Sequence, residues 1–310
     1  MKRLKLGTRG SKLALWQAQA VAERLKECHP DLQVETVIVK TVGDKILDVA
    51  LSRIGDKGLF TKELEKALLD GTIDLAVHSL KDLPSQLGEG LKLAAVMPRE
   101  NPGDVLISRS GLALSDLPAG SVIGTSSLRR TAQLKAIRPD LKVIDIRGNV
   151  ETRIKKMEEE KLDGIILAYA GVKRLGLEHW ITQVLPYDIM LPATGQGTIA
   201  IETRDHDEQM DGLLEAVNDR KTFSEIQAER AFLSRLEGGC QVPMACLAEC
   251  SGDTIQLQGL VSSLDGTQII RDAINGTSQD PVQIGLNLAE RILAAGAESI
   301  LTSIQTMGEQ

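Results

Sequence analysis

The sequence predicts an α/β fold over about the first two-thirds of the chain, followed by a smaller α+β unit. In the first part, short β-branched or apolar runs alternate with amphipathic helical stretches, a pattern typical of α/β proteins. After residue 223 the order changes to a helix, two alternating strands and a closing helix. The chain has 310 residues and so exceeds the usual size of one domain. We therefore expect three domains.

The first series of elements begins at the N-terminus. Strands are predicted at Leu4–Thr8, Val34–Lys40 and Ile73–His78. Ser11 is expected to cap a helix whose apolar residues, from Leu13 to Leu25, recur at helical spacing. A second helix is expected from Thr61 to Leu69, with Thr61 as its cap, and a turn at Ser79–Pro84 follows the third strand.

A second series begins near Asp104. Its strands are predicted at Val122–Gly124, Val143–Ile146, Ile165–Ala168 and Thr198–Glu202. Thr125, Ser126 and Ser127 offer N-cap hydroxyls for a helix from Leu128 to Ile137. A helix is also expected from Val150 to Glu160, and a helical turn leads toward Leu175.

The last stretch has a different character. A helix from Phe223 to Leu236 is broken by the segment Glu237–Pro243, which contains Gly238, Gly239 and Cys240. Strands are predicted at Ile255–Val261 and Gln268–Ile274, joined by a turn at Asp265–Gly266, and a helix from Pro281 to Ala295 closes the unit.

Composition excludes several classes of function. The net charge of -7 gives no whole-surface attraction to polyanions, and 2% aromatic residues disfavour nucleic-acid binding by base stacking. No run of about 18 apolar residues is present, so we expect no membrane span. The N-terminus lacks a signal-peptide pattern. We therefore expect a cytoplasmic protein whose four cysteines are free thiols.

Several predicted strands end in polar turns rich in Arg, Ser and Thr. In open α/β sheets, ligands bind outside the carboxyl ends of strands, where helix N-termini favour anions. The turns carry five arginines, a residue that grips carboxylates through two hydrogen bonds: Arg9, Arg129, Arg130, Arg147 and Arg153. The alternative is that these arginines lie on solvated helix faces. Together they favour a site for a ligand with several carboxylates.

Asp82 follows a buried strand and lies between Lys81 and Pro84. A carboxylate at this position could stabilise a developing cation or transfer a proton. The alternative is a turn-forming aspartate that bonds its own backbone. On the residues alone, the turn-forming interpretation is favoured.

Cys240 follows two glycines, so its sulfur is expected to be accessible as a nucleophile that holds a covalent group. The alternative is a buried free cysteine. Its spacing to Cys246 and Cys250 does not match a zinc site, and no metal is expected. No glycine-rich dinucleotide or phosphate-binding motif is present in the sequence.

Seven segments in this order resemble the porphobilinogen deaminases, also called hydroxymethylbilane synthases, over nearly the whole chain. They are GTRGSKLAL (7–15), GDKGLF (55–60), AVHSLKDLP (76–84), GTSSLRR (124–130), RGN (147–149) with Thr152 and Arg153, LPATGQG (191–197) and EGGCQVP (237–243).

This resemblance implies two lobes like those of periplasmic anion-binding proteins, with mixed sheets flanked by helices, and an active site between them. It implies that the first domain comprises residues 1–98 and 198–216, the second 99–197, and the small C-terminal α+β domain 217–310.

The resemblance also implies roles for individual residues. Cys240 would carry a dipyrromethane cofactor through a thioether, one per chain, and Asp82 would be catalytic. Residues expected to contact the cofactor are Lys81, Ser79, Thr125, Ser127, Arg129, Arg130, Arg147 and Gly148. Residues expected to contact the substrate are Arg9, Ser11, Arg147, Arg153, Lys57 and Gln196.

The activity that the resemblance implies is the deamination and head-to-tail joining of four porphobilinogen molecules into hydroxymethylbilane, a step of heme biosynthesis. Loss of ammonia would give an electrophile, which the free end of the bound pyrrole chain attacks while Asp82 stabilises positive charge on the pyrrole nitrogens. Porphobilinogen is the one expected partner, without nucleic acid, membrane or obligatory protein partner. A monomer is expected.

Three positions depart from the pattern of the family: Tyr169, Thr194 and Gly103. Tyr169 stands where a small residue is usual, and we expect it to crowd the cleft. Two other hypotheses stay open on the residues alone. One is a non-enzymatic two-lobed anion-binding protein, and the other is a cysteine-based zinc-binding regulator.

Overall fold

The computed structural model describes residues 3–45, 61–236 and 242–308. Its chain contacts divide into two compact units. Unit 1 contains lobe 1, formed by the described residues up to Glu100 together with Gly197–Phe223. Unit 2 contains lobe 2, Asn101–Gln196, and the C-terminal domain, which begins at Ser224. Lys57 and Cys240 lie outside the described residues.

Lobe 1 is built on a five-stranded mixed sheet with the order β2-β1-β3-β10-β4. Its strands are β1 (Arg3–Thr8), β2 (Gln33–Ile38), β3 (Leu75–Ser79), β4 (Leu91–Val96) and β10 (Ile199–Arg204). Strand β1 runs parallel to β2 and β3, whereas β10 is antiparallel to β3 and β4. Its helices are α1 (Lys12–Cys28), the short α2 (Val42–Lys45), α3 (Lys62–Leu69) and α7 (Glu208–Glu215).

In the described part of lobe 1, two apolar clusters form the core. One contains Leu4, Leu6, Val21 and Leu25 together with residues of β10 and α7. The other joins Leu64, Leu68 and Ile73. The apolar residues of α1 recur at helical spacing because they form the face that packs on this sheet.

Lobe 2 has a second five-stranded mixed sheet, with the order β7-β6-β8-β5-β9. Its strands are β5 (Asp104–Ser108), β6 (Val122–Gly124), β7 (Lys142–Ile144), β8 (Gly164–Ala168) and β9 (Gln183–Val184). Its helices are α4 (Leu128–Ile137), α5 (Val150–Glu159) and α6 (Tyr169–Arg174). Strand β6 is parallel to β7 and β8, and β5 is antiparallel to β8 and β9. The two lobe sheets thus share one pattern of strands.

The C-terminal domain is an antiparallel sheet of three strands covered by helices. The strands are β11 (Met244–Ser251), β12 (Thr254–Ser262) and β13 (Ile269–Thr277). The helices are α8 (Arg220–Arg235), α9 (Pro281–Ile292) and α10 (Glu298–Gly308). Phe232, Leu257 and Leu288 are buried in the core between sheet and helices.

The C-terminal domain packs directly on lobe 2. Leu191 of lobe 2 shares an apolar cluster with Ala245, Leu247 and Leu260 of the C-terminal sheet. The Cys246 N–H donates to the carbonyl of Pro192 at 3.2 Å. At the β12–β13 turn, a Cβ on Gly266 would lie 2.2 Å from the carbonyl oxygen of Ala132 in α4, so only glycine permits this approach.

The predicted fold class is confirmed, since two lobes of mixed sheets flanked by helices precede a small α+β domain. The expected Thr61 cap is wrong. Thr61 precedes α3, but it has helical φ and ψ and its side chain makes no capping bond. The predicted closing helix forms over Pro281–Ile292 and continues as a π-helical turn, Leu293–Ala297, in which Gly296 with φ +110° leaves helical geometry just after the predicted end at Ala295. None of the helices that the structure describes is long and apolar enough to cross a membrane.

Candidate active site

In lobe 1, two polar turns lie at the same edge of the sheet. Strands β1 and β3 are parallel neighbours, with Gly7 paired to Ala76, so their carboxyl ends leave the sheet together. Arg9 and Ser11 follow β1, and the 3-10 turn Leu80–Asp82 follows β3. A Cβ on Gly7 would lie 2.3 Å from the end of the Ile73 side chain, so a larger residue there would require that side chain to move.

Two of the predicted hydroxyl ligands in lobe 1 have structural bonds. Ser11 caps α1, and its Oγ accepts a hydrogen bond from the Ala14 N–H at 3.2 Å. The Gln17 amide donates to Ser79 Oγ at 2.8 Å, which ties α1 to the end of β3. These bonds fix the backbone at the two turns that the sequence predicted to bind ligand. A ligand at either hydroxyl would share it with these partners.

The Asp82 carboxylate is exposed and makes no hydrogen bond or ion pair with the part of the chain that the structure describes. The 3-10 turn closes through its backbone, with the Leu83 N–H donating to the Leu80 carbonyl. The turn-forming interpretation of Asp82 is therefore wrong. Its side chain is available for a bound molecule.

Beneath this edge, His78 and Glu202 form a buried pair. His78 Nε2 lies 2.9 Å from Glu202 Oε2, and both side chains are buried. The second oxygen of Glu202 has no hydrogen-bond partner among the described residues. The pair bridges β3 and β10, which gives His78 a structural role.

In lobe 2, the turns after β6 and β7 also leave adjacent parallel strands at one edge. Thr125 is buried, and its Oγ1 accepts from the Ser127 N–H at 3.3 Å. Ser126 exchanges hydrogen bonds with the backbone of Ile146 across the two turns. Ser127 is the N-cap of α4, as predicted, and its hydroxyl accepts from the Arg130 N–H.

Arg129 and Arg130, in the first turn of α4, are both bound to a carboxylate that the sequence analysis did not select. Arg129 Nη1 lies 2.7 Å from Asp104 Oδ2, and Arg130 Nη2 lies 2.7 Å from Oδ1. Burial by itself would raise the pKa of Asp104, but the two guanidinium groups outweigh it and hold that pKa well below its usual range. Burial lowers the pKa of Arg129.

Gln196 joins the same network. Its amide nitrogen donates to the Pro102 carbonyl at 2.7 Å and to Asp104 Oδ1 at 2.9 Å. The side chain is buried. Gln196 therefore ties the segment before β5 to the segment after Leu191, a structural use that the sequence did not indicate.

Arg147 differs from the other arginines of lobe 2. Its Nη2 atom is buried and finds no hydrogen-bond partner within residues 3–45, 61–236 and 242–308. The next residue, Gly148, has φ +121°, and a Cβ there would lie 2.6 Å from the Thr152 side chain. Arg153 Nε donates to the Gly148 carbonyl at 2.8 Å, which holds the turn in place. The turn thus presents a guanidinium donor that lacks an acceptor.

Four buried carboxylates with structural bonds among the described residues were missed by sequence reasoning. They are Asp104, Glu202, Glu225 and Glu229. Each lies in or beside an apolar stretch, and an acidic residue in such a stretch is the signal that could have drawn attention to it, because buried carboxylates need partners.

Each of the three residues that depart from the family pattern makes contacts that the structure describes. The Tyr169 ring packs against the apolar cluster around Val105 and Leu167, with the Lys173 ammonium 6.0 Å from the ring centroid. Thr194 Oγ1 lies 3.1 Å from the Sγ of Cys246 in the C-terminal domain. The Gly103 N–H donates to the side-chain oxygen of Asn101 at 2.8 Å.

The donors in lobe 2 fit a molecule with several carboxylates. Guanidinium groups, hydroxyls and the first turn of α4 are all groups that bind carboxylates. The buried Nη2 of Arg147 has no acceptor among the described residues, and a carboxylate would supply one. A dipyrromethane with acetate and propionate side chains matches this donor set.

Comparisons with known proteins identify the family. The model described as "Porphobilinogen deaminase, dipyromethane cofactor binding domain" matches residues 4–212, and that of the porphobilinogen deaminase C-terminal domain matches residues 223–294. The porphobilinogen deaminase of Syntrophomonas wolfei is 57% identical, over 97% of this chain and 98% of that protein. The enzyme of Carboxydothermus hydrogenoformans is 54% identical, over 98% of both chains.

Among solved structures, the periplasmic aliphatic sulphonate binding protein SsuA of Escherichia coli aligns with a TM-score of 0.42 and 16% identity, over 76% of this chain and 71% of that one. The family matches span nearly the whole sequence and reach into both lobes and the C-terminal domain. This chain belongs to the porphobilinogen deaminase family.

Proposed function

We propose that this chain joins four porphobilinogen molecules, with loss of ammonia, into hydroxymethylbilane, and that it extends them on a dipyrromethane cofactor bound to Cys240. The observation that carries the proposal is the free carboxylate of Asp82, which lies exposed at a strand end inside one of the motifs of the family. A protein that only binds anions has no need of this exposed carboxylate.

Asp82 is the proposed catalytic residue. Removal of ammonia from porphobilinogen leaves positive charge on the pyrrole, and a fixed carboxylate stabilises that charge as it develops. Since the Asp82 side chain has no bond to the described residues, both of its oxygens are available to pyrrole N–H groups. The same carboxylate can take up a proton when the new bond between pyrroles is complete.

The proposed cofactor contacts lie in both lobes. In lobe 2 they come from Arg147, Gly148, Thr125, Ser127, Arg129 and Arg130, and in lobe 1 from Ser79 and Lys81. When bound, the cofactor supplies the pyrrole end to which substrate units are added. Arg147 is the strongest member of this set, because its buried Nη2 still requires an acceptor. Arg130 is the weakest, because Nε, Nη1 and Nη2 already bond to Asp104 and the Ile166 carbonyl.

The proposed substrate contacts are Arg9, Ser11, Arg147, Arg153, Lys57 and Gln196. Each porphobilinogen adds two carboxylates, so several cations are required as the chain grows. Arg9, Arg147 and Arg153 are cations of this kind. Ser11 and Gln196 already have bonds to Ala14 and to the 102–104 segment, so they would serve mainly by fixing the turns that carry the arginines.

Localisation, partners and domain boundaries are proposed as the sequence predicts them. We place the enzyme in the cytoplasm, with porphobilinogen as its one required partner and without a metal. The domain boundaries proposed are 1–98 with 198–216, 99–197, and 217–310.

Intact-protein mass spectrometry tests the proposal. Purified wild type should carry the added mass of two linked pyrroles, and Cys240→Ser should lack it and release no hydroxymethylbilane. Cys28→Ser, which changes a partly buried cysteine in lobe 1, is the matched control and should keep both the added mass and the activity. Wild type that has the bare chain mass and forms no product from porphobilinogen would reject the proposal in favour of a binding protein.

A further inference from the structure

The Asp104 carboxylate is the buried junction of three chain segments in unit 2. Asp104 is the first residue of β5 and is fully buried. It accepts hydrogen bonds from Arg129 Nη1, from Nε and Nη2 of Arg130, and from the Gln196 amide. Four donors on one carboxylate leave little freedom to any of them.

These bonds determine the position of each guanidinium group. Arg130 is held on both sides, because its Nη1 also donates to the Ile166 carbonyl at 2.9 Å. Arg129 Nη1 donates to both Asp104 and the Leu191 carbonyl, and neither bond uses its Nε or Nη2. The Arg129 guanidinium group is therefore fixed through Nη1, whereas its Nε and Nη2 donate to neither Asp104 nor Leu191.

The charges of the cluster do not cancel. Two guanidinium groups and one carboxylate leave a net charge of +1, located at the first turn of α4, where the helix dipole adds to it. Without Asp104, two neighbouring cations would be buried together, and their repulsion would drive the side chains apart. Asp104 thus allows both arginines to occupy the same buried place while the cluster still attracts an anion.

We propose that Asp104 is a positioning residue of the reaction, which fixes Arg129 and Arg130 so that the first turn of α4 receives a carboxylate of the growing pyrrole chain. This inference rests on the proposed function. It assigns Asp104 no contact with substrate or cofactor. Its effect on substrate binding passes through the two arginines.

The test compares Asp104→Asn with wild type as purified holoenzymes. Asparagine keeps the volume and one acceptor oxygen but removes the charge. Among molecules that carry the cofactor, measured by intact mass, KM for porphobilinogen should rise about tenfold, which corresponds to about 1.4 kcal/mol, while kcat changes less than threefold. A structural role alone would lower the melting temperature and the yield, but would leave KM of the loaded molecules unchanged, and that result overturns the proposal.

Asp140→Asn is the matched control. Asp140 forms a bidentate pair with Arg138 at the other end of α4, and this pair is partly exposed. Its loss should leave KM and cofactor loading as in wild type. An equal rise of KM in both variants would also overturn the proposal, because it would show a general effect of weakening α4.

Asp104→Glu is the second variant, because it keeps the charge and moves the carboxylate by one methylene. A positioning role requires KM to rise in this variant too, and a KM equal to that of wild type contradicts it. If neither variant yields folded protein, Asp104 acts in folding alone and the proposal fails. The proposed function is tested by the wild-type protein alone. If wild type carried no cofactor mass and formed no product, the proposed function itself would be rejected.

Discussion

The Glu229 carboxylate accepts a hydrogen bond of 2.6 Å from the N–H of Gly195. Glu229 is fully buried on α8, and its other oxygen accepts from the Ala248 N–H of β11 at 2.9 Å. Gly195 has φ +69°, in the left-handed region that favours glycine. One side chain thus joins α8, β11 and the 191–196 segment of lobe 2. This is the helix that precedes the segment with Cys240.

Glu229→Gln should lower the free energy of unfolding by about 1–3 kcal/mol, because an amide group replaces one acceptor and leaves a buried N–H unsatisfied. Urea unfolding at neutral pH measures this loss. Glu290→Gln is the control, since Glu290 pairs with Arg235 at the surface of the same domain, and its loss should cost less than about 1 kcal/mol. Equal losses in the two variants would contradict the assignment of Glu229 as a buried link.

Asp82→Ala should give a folded protein whose turnover of porphobilinogen is at least about a hundredfold slower, the range expected for a lost acid–base or electrostatic group. The melting temperature should stay unchanged, because the exposed carboxylate has no bond to the described residues. Initial rates of product formation and thermal unfolding measure the two effects. Near-normal turnover would remove Asp82 from the mechanism.

Arg147→Leu should weaken cofactor assembly or chain elongation while the stability of the protein changes by less than about 0.5 kcal/mol. The buried Nη2 has no partner in the described structure, so its removal breaks no bond there. Mass spectrometry of enzyme-bound intermediates measures the first effect and thermal unfolding the second.

Arg138→Leu is the control for Arg147→Leu, because the Arg138 guanidinium group has structural bonds and is not a proposed ligand contact. Arg138 binds Asp140 and the carbonyls of Leu114 and Leu117. This variant should lose stability and keep the intermediates of wild type. If Arg147→Leu instead resembled it in stability and retained normal intermediates, the ligand role of Arg147 would be refuted.

Gly148→Ala should destabilise the protein by more than about 1 kcal/mol and impair activity. The residue has φ +121°, and the added Cβ would meet the Thr152 side chain at 2.6 Å. Gly176→Ala is the control, because Gly176 has φ +69° and an added Cβ there finds open space. Gly176→Ala should cost about 1 kcal/mol and leave activity intact. Chemical unfolding and initial rates distinguish the two glycines.

The stability contributed by Asp104 should depend on pH. Because the folded pKa is held well below the ordinary value, the contribution is fully present above the unfolded pKa of about 3.9. It declines as pH falls below that value toward the folded pKa. The difference in unfolding free energy between wild type and Asp104→Asn should thus be constant from about pH 8 to 5 and shrink below about pH 4. A difference that grows on acidification would contradict this charge assignment.

The elements with strong local signals were predictable from sequence. Ser11 and Ser127 cap helices as expected, because a hydroxyl before an amphipathic stretch is a direct capping signal. Strand β11 was missed because its sequence, MACLAECS, is rich in Ala, Cys and Glu, and it is a strand through its pairing with β12. Strand β4 also has a weak sequence signal for a strand, because its main residues are Leu, Lys and Ala.

The sequence predicted which turns carry the residues of the candidate site, but not which hydrogen bonds those residues form. The motifs located Arg129 and Arg130 correctly at the start of α4, yet their partner Asp104 is 25 and 26 residues away in sequence. Nothing local to Asp104 specifies which helix it meets, because that depends on the packing of β5 in the sheet. The same holds for His78 and Glu202, which are 124 residues apart.

The place of β10 in the first sheet has a consequence for synthesis on the ribosome. This strand lies between β3 and β4, so an early part of the polypeptide cannot complete its hydrogen-bonded ladder until residue 204 has emerged. The second sheet draws all of its strands from Asp104 to Val184 and has no such requirement. Maturation during translation should therefore run against the order of the gene, with the middle portion acquiring its native sheet before the portion made first.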